Sequence, residues 1–217
     1  SFGLFDDNAV YSEYLVSEQY LKYLGTISKK YFVIREELSN KIQNDIINAF
    51  PEKKVLGVHF RGTDFNAGRH GHPVIGKLTQ YYNAIDEALR QGYNSIFLAT
   101  DDKKVLSSFI EKYGDKICYF KDVKRSTSEC GVHLQNHQEG CSGYYLGREV
   151  LRDMVALTCC DGLVAGLSQV SIFARIQKYA NESHYNYLKI IDNGIHQNDS
   201  AKAKEYYGKL YQSNVIK

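Results

Sequence analysis

The chain has 217 residues, 43% of them hydrophobic and 24% charged, with Lys plus Arg at 27, Asp plus Glu at 25 and a net charge of +2. That is an ordinary globular balance, with neither the acidic or basic excess of a nucleic-acid binder nor an apolar run near the roughly 20 residues of a membrane-spanning helix. Trp is absent, Pro occurs twice, and no repeat or low-complexity linker divides the chain. Five cysteines, with Cys159 and Cys160 adjacent in an apolar run, read as reduced core cysteine in a cytoplasmic protein rather than as a disulfide framework. The triplets Asn181-Glu182-Ser183 and Asn198-Asp199-Ser200 are a weak counter-signal for a secretory lumen.

In chain order, Tyr14 to Leu24 and Arg35 to Phe50 read as helices, the second carrying Leu38, Ile42, Ile46 and Ala49 at helical spacing. From Lys54 onward short apolar runs alternate with amphipathic segments. Strands are predicted over Lys54–Phe60, Asn94–Ala99, Lys116–Phe120, Asp161–Gly166 and Tyr187–Ile191. Helices are predicted over Leu78–Gln91, Asp102–Tyr113, Gly147–Thr158 and Ser168–Ala180. Strands apolar on both faces need helices on both sides, and strand–helix alternation implies a parallel sheet. The fold class is therefore α/β, doubly wound and mostly parallel, with residues 54–217 as a Rossmann-like domain and residues 1–53 as an N-terminal helical segment. In such sheets ligands bind beyond the carboxyl ends of the strands. Chemistry-bearing residues are thus expected just after strands, and the long loops Arg61–Lys77 and Lys121–Leu146 are expected to be functional or mobile.

Four patterns meet or approach that expectation. His59-Phe60-Arg61-Gly62-Thr63-Asp64 closes the first strand; Arg61 offers a planar fork suited to phosphate, and Asp64 could orient it or act as a base. A strand-end pair between Arg61 and Asp64 with no further role is the plain alternative. Thr100-Asp101-Asp102 follows the second strand, where either acid can cap the next helix; the pair could also hold a divalent metal for a nucleotide diphosphate, but no partner carboxylates stand at suitable spacing. Gly147 to Asp153 and Asp161 to Ser171 form a helix, a strand and a small turn opening a helix at Ser168 and Gln169, an anion-binding mouth unless Ser168 only caps. Asp153 is either solvated or aimed at the N–H edge of a ligand such as a purine. Cys130-x2-His133-x3-His137-x3-Cys141 could bind zinc, although its spacing is not that of a standard finger.

Taken in order, VLGVHFRGTDF (55–65), His72-Pro73, FLATDD (97–102), Arg125-Ser126, Val132-His133, GREVLRDMVALTCCDGLVAG (147–166) and LSQVS (167–171) resemble the GDP-fucose-dependent fucosyltransferases of the α1,6 and nodulation type. O-fucosyltransferases are more distantly similar. The resemblance implies the nucleotide-sugar half of a two-lobed GT-B transferase. It implies metal-independent, inverting transfer from GDP-fucose to a glycan, with no cofactor and no nucleic-acid partner. It assigns Arg61 to the diphosphate, His59 and Asp153 to guanine or its neighbourhood, and Ser168 and Gln169 to the phosphate or sugar. Asp102 falls to the donor pocket, and Arg61, Asp64 and His72 to the catalytic set. Gly62 stands where the family usually carries a second Arg, leaving Arg69, Lys77 or Arg125 to replace it. Phe65 to Gly71 lacks the carboxylate of animal α1,6 enzymes, so Asp64, His70 or His72 would serve as base. The short N-terminal part suggests an abbreviated acceptor lobe or a fragment. A GDP-sugar-binding lobe without activity of its own is the alternative function.

Overall fold

A computed structural model describes residues 17–50, 54–127, 131–132 and 143–205, with backbone alone at Asp64 and Phe65. The sheet comprises β1 (Val55–Phe60), β2 (Ser95–Thr100), β3 (Ile117–Cys118), β4 (Gly162–Gly166) and β5 (Tyr187–Ile191). All pairings are parallel and the order is β3-β2-β1-β4-β5. Successive strands run outward from β1 in one direction and then in the other. The reversal lies between β1 and β4, and sheets of this kind bind ligands beyond the carboxyl ends of the strands at such a point.

The helices are α1 (Glu18–Tyr31), α2 (Glu36–Ala49), α3 (Leu78–Arg90), α4 (Lys103–Tyr113), α5 (Gly143–Cys159) and α6 (Gln169–Ala180). A final helical turn spans 201–205. Strand side chains alternate between two layers. Leu56, Val58 and Phe60 pack with Ile96, Leu98 and Val164 against Tyr81 and Ile85 of α3 and Phe109 of α4. Val55, Phe97, Ala99, Leu163 and Ala165 face Ile42 and Ile46 of α2 and Met154 and Leu157 of α5. His59 and Arg61 continue the second phase past the apolar part of β1, which directs them toward α5 and α6. A Cβ at Gly57 would stand 3.1 Å from Cys160 Sγ and 3.2 Å from Leu157 Cδ2, so α5 lies close against β1.

Two elements depart from the sequence reading. The third strand is two residues long instead of five: Phe120 turns inward onto Phe97, ring centroids 5.1 Å apart, and the chain regains β2 only at Ser126. The first helix begins at Glu18, capped by Ser17, and runs through Gly25 to Tyr31. Gly25 does not stop it because α6 packs there, with Tyr179 Cβ 2.9 Å from where a Cβ would be. On α4, Val105, Leu106 and Phe109 are buried while Ile110 is 39% exposed. Cys160 is buried, Cys159 is exposed, and both carry free thiols, as does Cys118. Among the described residues no helix is long and apolar enough to cross a membrane.

Candidate functional site

The cavity at the reversal point takes its walls from four elements. His59 and Arg61 come from the end of β1, Ala99, Thr100 and Asp101 from the end of β2, Leu146, Glu149, Val150 and Asp153 from α5, and Val170 from the first turn of α6. Val123, Lys124 and Val132 close it from the loops after β3. The Lys121–Ser126 stretch is held in place by backbone bonds, Ser126 N–H to Asp101 O at 2.8 Å and Lys103 N–H to Ser126 O at 2.9 Å. Apolar Val123, Val132, Leu146, Val150 and Val170 share the lining with a few polar groups. That is the usual make-up of a site for a planar, partly polar ligand.

Parallel register sets Ala99 beside His59 and Thr100 beside Phe60, so Asp101 follows beside Arg61. Arg61 Nη1 lies 2.7 Å from Asp101 Oδ2. The Gly62 N–H donates to Asp101 Oδ1 (2.9 Å) and the Thr63 hydroxyl to Oδ2 (2.6 Å). Arg61 thus has a partner 40 positions away that its neighbours in sequence do not reveal; the Asp64 side chain lies outside the described residues. Thr63 has φ 47, and a side chain at Gly62 would start 2.7 Å from Asp102 Cβ. The turn after β1 is thus tight and pressed against the end of β2.

His59 is buried, and burial first, with Arg61 adding to it, lowers its pKa to about 4 against the pull of Asp101. It is neutral at pH 7. Its Nδ1 lies 3.3 Å from Ser168 Oγ. That oxygen also accepts from Ser171 N–H (3.4 Å), so one serine fixes both the helix start and the imidazole ring, a contact that either neutral tautomer of His59 can make.

Asp153 is the other extreme. Its Oδ1 is shielded from solvent, and among the described residues no group hydrogen-bonds it. Burial pushes the carboxyl up to about 7, while Arg125 and Arg152 pull it back. Neither arginine satisfies it. Arg125 donates to Val123 O and Phe120 O, each at 3.0 Å. Arg152 spans Asp45 (2.9 Å) and Asp122 (2.6 Å) with its guanidinium 4.3 Å above Phe120. A buried acid with an unused acceptor, on a residue that lines a cavity, is a candidate acceptor for a ligand donor.

No family model matches the chain, and no curated protein matches it. Its structural neighbours are fucosyltransferases. NodZ α-1,6-fucosyltransferase soaked with GDP-fucose is 22% identical, covering 68% of this chain and 43% of that one, with TM-score 0.46. The fucosyltransferase NodZ from Bradyrhizobium is 19% identical over 67% and 41%, with TM-score 0.43. POFUT1 in complex with GDP is 11% identical over 80% and 51%, with TM-score 0.46. The chain therefore spans about half the length of these neighbours or less. At this distance the chemistry has to be carried by the residues of the cavity themselves.

Of the residues singled out in the sequence, His59, Arg61 and Asp153 line one cavity. Asp102 does not line it; its carboxylate caps α4, accepting from Lys104 N–H (2.8 Å) and Val105 N–H (3.3 Å). Ser168 is buried as the cap of α6 and tethers His59, while Gln169 is exposed. His72 stands apart in a loop paired with the chain near Ile195, its carbonyl accepting from His196 N–H at 2.9 Å. Arg69, Lys77 and Arg125 are absent from the lining, where Lys124 is the second cation. In the sequence Asp101 reads as a possible helix cap or half of a metal-binding pair, not as a partner of Arg61; its proximity to Arg61 depends on strand register, which the local sequence does not display. Among the described residues no three His, Cys, Asp or Glu are grouped to hold a metal. Cys130, His133, His137 and Cys141 lie outside the described residues.

Proposed function

We propose that this cavity binds the nucleotide of a GDP-sugar and that the chain is a fucosyltransferase-like glycosyltransferase unit. The carrying observation is the shielded, unpartnered Oδ1 of Asp153 in the same cavity as Arg61, at the reversal point of the sheet. Guanine presents two adjacent donors, a ring N–H and an exocyclic amine, which match the two oxygens of one carboxylate. Uracil has a single ring N–H flanked by carbonyls, which a carboxylate repels. The apolar lining suits the purine faces, and the neutral His59 ring supplies a further polar contact for the base or phosphate.

Displacement of a sugar from a nucleoside diphosphate builds negative charge on the departing phosphate. The Arg61 fork and the positive end of the α6 dipole, whose first turn reaches the cavity at Val170, are positioned to stabilise that charge without reorganising. In this reading transfer needs no metal and inverts the sugar centre, with a base from the loop after Arg61, where Asp64 and His72 lie, taking the acceptor proton. The same resemblance that suggests fucose suggests a glycan acceptor. A GDP-binding unit with no transfer of its own is the second reading, since every wall of the cavity belongs to one sheet unit.

Calorimetric titration with GDP, GDP-fucose, UDP and CDP tests the reading. GDP and GDP-fucose are expected to bind and UDP and CDP to bind weakly; preference for UDP overturns it. Arg61→Ala is expected to cost about 1.5–3 kcal/mol of GDP binding, the range of charge-assisted hydrogen bonds, with the fold intact. Arg61→Lys is expected to fail nearly as badly, because a point charge does not replace a fork. Affinity for GDP without transfer to any glycan selects the second reading.

A further inference from the structure

The most heavily used side chain at the mouth of the cavity is one to which no chemistry has been given above. Asp101 takes the Gly62 N–H on one oxygen and the Thr63 hydroxyl and Arg61 Nη1 on the other, at 2.9, 2.6 and 2.7 Å. It thereby holds three consecutive residues as the chain leaves β1. Its own position is fixed from both sides, by the Ser126 N–H on its carbonyl at 2.8 Å and by the start of α4 immediately after it. The turn it holds is a strained one. Thr63 is β-branched and sits at φ 47, a region such residues avoid unless the surroundings over-determine it. An arginine side chain at a strand end has many rotamers, and the carboxylate selects among them.

We infer that Asp101 is a positioning residue for the Arg61 guanidinium: it sets the direction of the fork toward the diphosphate of the bound nucleotide and does not itself bind the ligand. The inference rests on the reading of the cavity as a GDP-sugar site. An anion arriving beside a lone arginine must order it, whereas here the ordering is already done, and affinity gains by that pre-organisation. Asp101 lies at the phosphate end with Arg61; the base end, at Asp153, is on another element. Its removal should therefore be felt by phosphate and not by base.

The test uses the full chain and two probes, GDP and guanosine, titrated against wild type, Asp101→Asn, Arg61→Ala and the double variant, with Tm recorded for each. Asp101→Asn is expected to weaken GDP about tenfold or more, the size of one charge-assisted hydrogen bond, and to leave guanosine within about twofold. In the Arg61→Ala background it should add almost nothing, since the two act as one unit. Three results overturn the inference: unchanged GDP affinity, equal loss for GDP and guanosine, or a loss additive to that of Arg61→Ala. If Asp101→Asn does not fold, Thr63→Ala deletes one contact and keeps the carboxylate. It should weaken GDP severalfold and spare guanosine, and equal effects on both probes overturn the inference again. Arg61→Ala with wild-type GDP affinity is a different failure, because it removes the GDP reading itself.

Discussion

A carboxyl with a solvent-shielded oxygen and no donor is an unfavourable thing to ionise, and Asp153 is held in that condition beside two arginines already engaged elsewhere. The consequence for binding can be signed. Its pKa rises from 3.8 to about 7, so the acid form is substantial in the free protein near neutrality, whereas guanine donors need the ionised form. Guanosine affinity should therefore increase as pH is raised from 6 to 8, by up to about tenfold per unit below the pKa. Asp153→Asn should bind weakly and without that slope; a flat wild-type profile would count against Asp153 as the acceptor. Guanosine is the better probe because it has no phosphate to titrate. The stability sign is opposite. A raised carboxyl pKa means the native state resists ionisation, so the stability of the free protein relative to lower pH falls between about 4 and about 7. Asp153→Asn should accordingly raise Tm of the free protein at pH 8. His59, lowered from 6.5 to about 4, leaves the binding profile above pH 6 unchanged, but it adds a rise in stability between about 4 and 6.5 that opposes the fall from Asp153, so the Asp153 slope is read as the difference between wild type and Asp153→Asn. Ser168 serves two ends at once, the cap of α6 and the orientation of the His59 ring. Ser168→Ala should cost about 1 kcal/mol of stability, read from urea unfolding, and should also weaken GDP because the ring loses its orientation.

At the scale of elements, the close approaches decide what the helices can do. The α1 helix is joined to the body through α6, where Leu21 packs on Ile172 and Ile176. Gly25 is the closest point: a Cβ there would lie 2.9 Å from Tyr179 Cβ and 3.1 Å from the Ala180 backbone nitrogen. Alanine is the better helix former by about 1 kcal/mol, so propensity alone predicts that Gly25→Ala stabilises. Packing predicts the reverse, since backbone cannot yield as a flexible side chain does, and overpacking of this kind costs about 1–3 kcal/mol. Net destabilisation in urea is expected, with Gly57→Ala showing the same sign through the β1–α5 contact. The sequence reading ended the first helix at Leu24, just before Gly25; the role of this glycine as a contact exists only once α6 is in place. The short β3 has a related cause. The apolar run after Lys116 is real, but Phe120 serves the core under α2 and α5 and does not extend the sheet.

Across the whole molecule, one long loop expected to be functional or mobile is tied down. From Gly68 to Val74 it bonds to the segment 194–200, with Gly71 N–H to His196 O (2.9 Å), Val74 N–H to Gly194 O (2.8 Å) and Ser200 N–H to Gly68 O (3.0 Å). The His70 N–H adds a bond to Asp199 Oδ1 at 2.7 Å. The loop carrying His72 is thus ordered by the tail of the chain, far from it in sequence. Truncation after Asp192 should leave the β1, β2 and β4 amides slow in hydrogen exchange while 68–74 becomes fast and open to proteolysis. Slow exchange in 68–74 after truncation would mean that the loop is held from elsewhere.

Periodicity and run length were enough for the class of the fold, for β1, β2, β4 and β5, and for the end of the sheet at which His59 and Arg61 would gather, because these depend on side-chain chemistry repeated along a local stretch. Strand-end motifs were legible for the same reason: the chain leaves a buried strand where polar residues resume. Which of two neighbouring acids faces Arg61 was not legible. Asp101 and Asp102 are identical in composition and adjacent in sequence, yet one organises the mouth of the cavity and the other caps α4. That choice is made by the parallel register of β1 on β2 and by the phase at which β2 ends. The isolation of Asp153 likewise arises only when Arg125 and Arg152 find other partners in three dimensions. A sequence lists which charges exist; packing decides which of them remain unanswered.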